Sequence, residues 1–300
     1  MKDVIIIGCG PSAMSAALYV LRSNKTCLIL EKENIGGQIA NSPKVENYPT
    51  IKEISGLDLA DRMFEQISEM GVEFELEEVI GVEKKDDHFV VKTNYNEYES
   101  KAVIIANGVK HRLMGLENEE NYIGNGISFC ALCDGPMYKG KEVYLIGDAN
   151  TAIQYALALS NYCSKVHMIT LFDRFFGEQV LINRLKEKEN IIVSHNKNLI
   201  EYLGDGSKLQ GLKFEDTKTK EIVEYKTDNV FVAIGQIPNN EIFKDLVELD
   251  KGYIVTNELM ETKTPGIYAC GDTRKKGIRQ VVTACNDGAI AAVSAVKYIG

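Results

Sequence analysis

The chain has 300 residues, enough for two ordinary domains, and its 45% hydrophobic and 26% charged content suits a soluble protein with sizeable cores. A formal net charge of -9 argues against nucleic acid or anionic membrane as partners. No apolar run approaches the ~20 residues needed to span a bilayer. Seven cysteines, an odd number, in a chain whose apolar start at Val4 to Ile7 reads as a strand rather than a signal peptide, point to a cytoplasmic location. Five of those thiols read most simply as small buried apolar residues.

In chain order, Asp3 to Ile7 predicts a buried parallel strand. Gly8-Cys9-Gly10-Pro11-Ser12-Ala13 follows and opens a helix to about Arg22, and Thr26 to Leu30 predicts the next strand, ending in Glu31. This is G-x-G-x-x-A between strand and helix, with an acidic residue closing the second strand. Gly8 would make the tight turn, Gly10 would let a pyrophosphate approach the backbone, and Ala13 would let helix and strand pack closely. Phosphates would then lie on the helix N-terminus and Glu31 would meet a ribose hydroxyl. A structural turn is the bland alternative, and the context outweighs it. Gly36-Gly37-Gln38 permits close backbone approach to a ligand, although both it and Glu46-Asn47-Tyr48-Pro49 also read as turn punctuation. Residues 57 to 69 carry apolar side chains at helical spacing, and Val72 to Lys101 alternates like a small antiparallel sheet turning near Asp86-Asp87. Ala102 to Ala106 reads as a buried strand ending at Asn107-Gly108.

Cys130-Ala131-Leu132-Cys133-Asp134-Gly135 carries the chemistry. Two thiols two residues apart can close a disulfide ring or open to a dithiol, passing two electrons by exchange. Half of a zinc site would read the same way, but structural zinc wants four Cys or His ligands, and only four histidines and no second Cys-x-x-Cys exist. No metal is expected. Glu142 to Ile146, a turn at Gly147-Asp148-Ala149-Asn150-Thr151-Ala152, a helix to about Asn161 and a strand at Lys165 to Ile169 repeat the first unit's architecture. The chemistry of the turn has changed. Ala149 puts a Cβ where a pyrophosphate would press, Asp148 adds a repelling carboxylate, and Thr170-Leu171-Phe172-Asp173 stands where arginines would read a phosphate. A divergent nicotinamide site, helped by Arg174, is the alternative. Beyond lie a second small sheet region (Ile191 to Val193, Leu209 to Phe214, Ile222 to Tyr225), a strand at Asn229 to Ile234, and a strand ending at Gly271-Asp272. Asp272 alone could equally be a helix cap. Arg279-Gln280-Val281 opens a small-residue helix to the terminus.

Together these stretches resemble the low-molecular-weight thioredoxin reductase family over essentially the whole chain. Its carriers are the first glycine turn, Gly36-Gly37-Gln38, Val45-Glu46-Asn47, the Cys130–Gly135 motif, Val232-Ala233-Ile234-Gly235, Gly271-Asp272 and Arg279-Gln280. The resemblance implies an α/β protein of two Rossmann-like, three-layer ββα domains. An FAD-binding domain would be made of 1–113 and 241–300, and residues 114–240 would form an inserted redox-disulfide domain with a degenerate NADPH-type fold. By position, Gly8, Gly10, Pro11, Ser12 and Ala13 would hold the FAD pyrophosphate and Glu31 the adenosine ribose. Gly37, Gln38, Asn47, Val79, Asn107, Gly108, Gly271, Asp272, Arg279, Gln280 and Val281 would complete the FAD site. Asn107 stands where the family usually has threonine. The family's NADPH-binding glycine turn and its His-Arg-Arg stretch are replaced here, which resembles the clostridial ferredoxin-dependent flavin thioredoxin reductases. That implies ferredoxin as donor, thioredoxin as acceptor and a homodimer.

In that family Cys133 would lie against the flavin, Cys130 would attack the thioredoxin disulfide, and Asp134 would protonate the leaving thiolate. Flavin accepts single electrons and passes on a pair. A plant-type ferredoxin near ~-400 mV and a thioredoxin near ~-270 mV make the transfer downhill by roughly 6 kcal/mol. Arg274-Lys275-Lys276 is the expected basic docking loop for an acidic ferredoxin, with a solvated loop of no consequence as the alternative. Two further readings stay open: an NADPH-dependent reductase with a divergent site, and a flavin redox sensor without turnover.

Overall fold

The computed structural model describes residues 1–42 and 45–300. Its contacts divide the chain into two units, residues 1–42, 46–110 and 237–300 in the first, and 111–236 with Val45 in the second. The exchange points at 110/111 and 236/237 fall slightly before the expected 113/114 and 240/241.

In the first unit β1 (Lys2–Ile7), α1 (Pro11–Arg22) and β2 (Cys27–Glu31) are followed by α2 (Gly56–Glu69), β3 (Glu73–Leu76), β4 (Val79–Lys84), β5 (Phe89–Thr93) and β6 (Glu97–Ile105). The chain passes out through β7 (Val109–His111) and returns through β16 (Gln236–Pro238). It then adds β17 (Leu249–Asp250), β18 (Tyr253–Ile254), β19 (Ile267–Ala269) and α7 (Val281–Ile299). The sheet runs β3-β2-β1-β6-β5-β4, with β19 also on β6; β1, β2, β3, β6 and β19 are parallel, and β4 and β5 antiparallel. β1 is a continuous apolar run because both of its faces are covered. Val4 and Ile6 enter one core with α1 and α7, while Ile5 and Ile7 enter the other with Phe89, Phe243 and Val247. α1 begins with Pro11 in its first turn and ends on Arg22, both suited to those ends.

The second unit contains α3 (Glu119–Tyr122), β8 (Ile127–Ser128), α4 (Ala131–Asp134), β9 (Glu142–Ile146), α5 (Asn150–Leu159), β10 (Lys165–Ile169), α6 (Gln179–Lys186) and β11 (Ile191–Ser194). β12 (Lys197–Gly204), β13 (Leu209–Asp216), β14 (Ile222–Lys226) and β15 (Val230–Val232) complete it. Its five-stranded parallel sheet runs β11-β10-β9-β15-β8, and β12-β13-β14 form a separate antiparallel sheet. Here too the residues of β9 alternate between two cores, Val143 and Leu145 in one, Tyr144 and Ile146 in the other.

The α/β, Rossmann-like architecture is therefore present in both units. Two strands differ from expectation. Glu73–Leu76 is a parallel edge strand on β2, not the start of the antiparallel region. Ile191–Ser194 likewise joins β10 in the parallel sheet, leaving the small sheet to begin at Lys197. No described helix is long and apolar enough to cross a membrane.

Candidate functional site

The first glycine turn has the form that its sequence asks for. Gly8 has φ 105°, and a Cβ there would lie 2.5 Å from the Ala106 carbonyl oxygen, so no other residue fits. Gly10 precedes α1 in extended backbone, and a Cβ on it would meet only the Gly36 oxygen, at 3.9 Å, leaving room for a ligand. Pro11, Ser12 and Ala13 form the first turn of α1, with Ser12 and Ala13 buried. The Glu31 carboxylate is already employed: Oε2 accepts from the Cys9 N–H at 2.8 Å, and Oε1 from the Lys32 and Glu33 N–H groups at 2.8 and 2.9 Å. Three donors leave it room for about one more, which a ribose hydroxyl could be. One cleft is lined by Gly8, Glu31, Val79, Asn107 and Gly108, five of the residues expected around FAD.

The other expected residues are linked to this turn and to one another. Gly37 lies against Gly10, and Gln38 follows it on an exposed turn of 3-10 helix. Asn47 Nδ2 donates to Gln280 Oε1 at 3.0 Å, and Gln280 caps α7, which begins at Val281. Gly271 packs on Ser12. Arg279 Nε donates to the Asp272 carbonyl at 3.4 Å, and its guanidinium lies 4.4 Å from the Tyr253 ring centre. Asp272 Oδ1 is buried without a hydrogen-bond partner among the described residues. Burial pushes its carboxyl up, and Lys276 and Arg279 pull it back. Asn107 Nδ2 donates to the Asn239 carbonyl at 2.9 Å and to Asn240 Oδ1 at 3.1 Å. A bare glycine turn, an acidic residue at the end of β2 and an open cleft between them fit the pyrophosphate and ribose of FAD.

The expected basic docking surface at Arg274-Lys275-Lys276 needs correction. Arg274 and Lys276 turn inward onto the buried Asp287 at 3.2 and 2.9 Å. Lys275 alone reaches solvent, and it pairs with Asp250 at 2.6 Å. The loop therefore offers little unanswered positive charge.

In the second unit Cys130 and Cys133 are joined as a disulfide. Cys130 caps α4, and the Cys133 N–H donates to Cys130 Sγ at 3.2 Å, a contact that would stabilise a thiolate at Cys130 more than at Cys133. Asp134 is 8% exposed, and Ser128 joins it to the motif: Ser128 Oγ donates to Asp134 Oδ2 at 2.6 Å and accepts from the Cys130 N–H at 3.1 Å. Sequence reasoning missed Ser128, because a lone serine two residues before a cysteine carries no signal. The Tyr162 hydroxyl, donating to the Ala131 carbonyl at 3.1 Å, was missed for the same reason. Cys9, Cys27, Cys163 and Cys270 are buried and Cys285 half-buried. Burial pushes the Cys9 and Cys270 thiols up to about 12, so neither forms a thiolate near neutral pH.

The second dinucleotide-type turn keeps the bend and loses the cradle. Gly147, at φ 148°, lies against Ala233 much as Gly8 lies against Ala106. Ala149 then precedes α5, where the first unit has Gly10. Both ends of the Asn150 side chain are taken by Glu178: Oδ1 accepts its N–H at 2.7 Å, and Nδ2 donates to its Oε1 at 3.2 Å. After β10 the exposed side chains include Leu171, Phe172 and Phe176, at 43%, 49% and 50%, with Asp173 and Arg174 exposed among them. The nearby cation Arg174 lies over the Phe176 ring at 5.0 Å.

The sequence matches the pyridine nucleotide-disulphide oxidoreductase family over residues 2–288. It is 39% identical to a thioredoxin reductase of Bacillus subtilis (strain 168) over 298 residues, covering 99% of this chain and 94% of that protein. A 34.2 kDa protein in the rubredoxin operon of Clostridium pasteurianum is 38% identical over 302 residues, covering 99% and 97%. A solved thioredoxin reductase from Streptococcus pyogenes MGAS5005 superposes with a TM-score of 0.94 at 35% identity, covering 99% of this chain and 98% of that one.

Proposed function

From a chain that belongs to the pyridine nucleotide-disulphide oxidoreductase family and is a thioredoxin reductase-type flavoprotein carrying FAD, we propose that ferredoxin supplies electrons and thioredoxin receives them through Cys130 and Cys133. The observation that carries the donor is the second dinucleotide-type turn. Ala149 and Asp148 stand where a pyrophosphate would lie, and Leu171, Phe172 and Phe176 offer a 2′-phosphate no hydrogen-bond donor or charge. The intact bend at Gly147 favours the NADPH-dependent reading, but a bend alone supplies no phosphate contact. A sensor without turnover has no use for a disulfide with a buried carboxyl beside it.

Bound FAD, held by the first turn, Glu31 and Asp272, would supply the conversion between single electrons and a pair. The rest falls to the chain's own residues. Reduction opens the Cys130–Cys133 bond to a dithiol. The Cys130 thiolate attacks one sulfur of the thioredoxin disulfide, forming a mixed disulfide and expelling the other sulfur as a thiolate, to which Asp134 delivers a proton. Cys133 then attacks Cys130 and re-forms the ring, its thiol proton passing to the second thioredoxin sulfur as that sulfur leaves, so that thioredoxin departs as the dithiol, and Asp134 recovers its proton from solvent. Ser128, bonded to both Asp134 and the Cys130 backbone, would fix the acid's orientation. Ser128→Ala is expected to lower kcat by roughly tenfold, the scale of one lost hydrogen bond to a charged group, with little change in KM. An unchanged kcat would remove Ser128 from this account.

Purified protein is expected to be yellow and to hold FAD, and a colourless protein that takes up no FAD on incubation would contradict the flavin site. A homodimer belongs to the same reading, and light scattering that gives a monomer mass would remove it. Steady-state thioredoxin reduction should run on reduced ferredoxin and not on NADPH.

A further inference from the structure

Two cations and one carboxylate are buried together in the first unit. Asp287 of α7 is 3% exposed. Its Oδ1 accepts from Arg274 at 3.2 Å, and its Oδ2 accepts from Lys276 Nζ at 2.9 Å and from the Gly271 N–H at 3.2 Å. The Arg274 and Lys276 side chains are only 15% and 9% exposed. These three side chains keep a net positive charge largely out of water, part of it answered by the buried Asp272 carboxyl, on which Lys276 also acts. Such a group is a poor stabiliser of a fold, because packed apolar side chains of similar volume would avoid its desolvation cost. Its position is informative: the carboxylate holds the backbone of Gly271, the residue before Asp272, and Asp272 is bonded through its carbonyl to Arg279.

We infer that Arg274, Lys276 and Asp287 are an electrostatic support that raises the flavin's affinity for electrons. The inference rests on the placement of FAD against Asp272 proposed above. A flavin that has taken up two electrons is an anion near neutral pH, and a fixed positive charge a short distance away in a water-poor region stabilises it. Arg274 and Lys276 would supply that charge beside Asp272, while Asp287 anchors them and, with Asp272, offsets part of it. They are positioning residues: they act on the flavin through space and through the Gly271–Asp272 turn. This gives the basic loop an internal role in place of an external one.

The test uses the FAD-loaded enzyme and sulfite, which adds to oxidised flavin and leaves the ring anionic, so that its dissociation constant reads the local charge without turnover. Bleaching of the visible flavin band gives that constant, and reductive titration against a reference dye gives the midpoint potential. Lys276→Gln is expected to weaken sulfite binding roughly tenfold and make the potential more negative. Asp287→Asn is expected to move both readings the opposite way, and Lys276→Arg to leave them nearly unchanged. A purely structural cluster would lower thermal stability in the variants without this reversal of sign. Unmoved sulfite affinity, or a shift in the same direction for Lys276→Gln and Asp287→Asn, overturns the inference. If Asp287→Asn does not fold, the contrast between Lys276→Gln and Lys276→Arg decides, and equal behaviour of the two overturns it. Wild-type protein that binds no FAD removes the flavin site itself, whereas flavin-loaded protein with indifferent variants removes only the tuning.

Discussion

Cys133→Ser is expected to capture thioredoxin as a stable mixed disulfide on Cys130, with turnover falling by more than about a thousandfold. Cys130 can still attack once it is a free thiolate, but no second sulfur remains to resolve the product. Cys130→Ser loses turnover equally and should trap nothing. The local geometry gives the asymmetry its direction, since the Cys133 N–H points at Cys130 Sγ and would hold negative charge on that sulfur. Gel electrophoresis without reductant distinguishes the two variants. Trapping with Cys130→Ser and none with Cys133→Ser would exchange the roles of the two sulfurs.

The strand–turn–helix units were legible because local chemistry dictates them. A G-x-G-x-x-A after an apolar run leaves few alternatives at Gly8, where even one added Cβ would strike Ala106. The ends of α1 followed from the same kind of signal. β3 and β11 were misassigned because a short strand's period of two is the same in parallel and antiparallel neighbours; only its partners, β2 and β10, decide. The basic loop was misread for a related reason. Three adjacent cations suggest a surface, yet their partners Asp287 and Asp250 come from elsewhere in the sequence. Ser128 and Tyr162 join the redox motif only through tertiary structure, so no spacing announces them.

The donor carries the other large effect. NADPH in excess should leave the flavin oxidised over any time on which ferredoxin reduces it. Binding NADPH would require Ala149 and Asp148 to accept a pyrophosphate, and would set a 2′-phosphate against Leu171, Phe172 and Phe176. Each missing charge-assisted contact forfeits roughly 1.5–3 kcal/mol, so losing several weakens binding by orders of magnitude. Arg174 cannot make up the difference alone, and its guanidinium already lies over Phe176. Restoring a single arginine, as in Leu171→Arg, should therefore gain little while Ala149 and Asp148 remain.

The most direct measurement is an anaerobic titration of the enzyme-bound flavin, followed by its visible absorbance, with NADPH and separately with reduced ferredoxin. The account predicts no bleaching by NADPH at any practical concentration, and full bleaching by ferredoxin that reverses when oxidised thioredoxin is added. Rapid bleaching by micromolar NADPH, with ferredoxin inert, would contradict it.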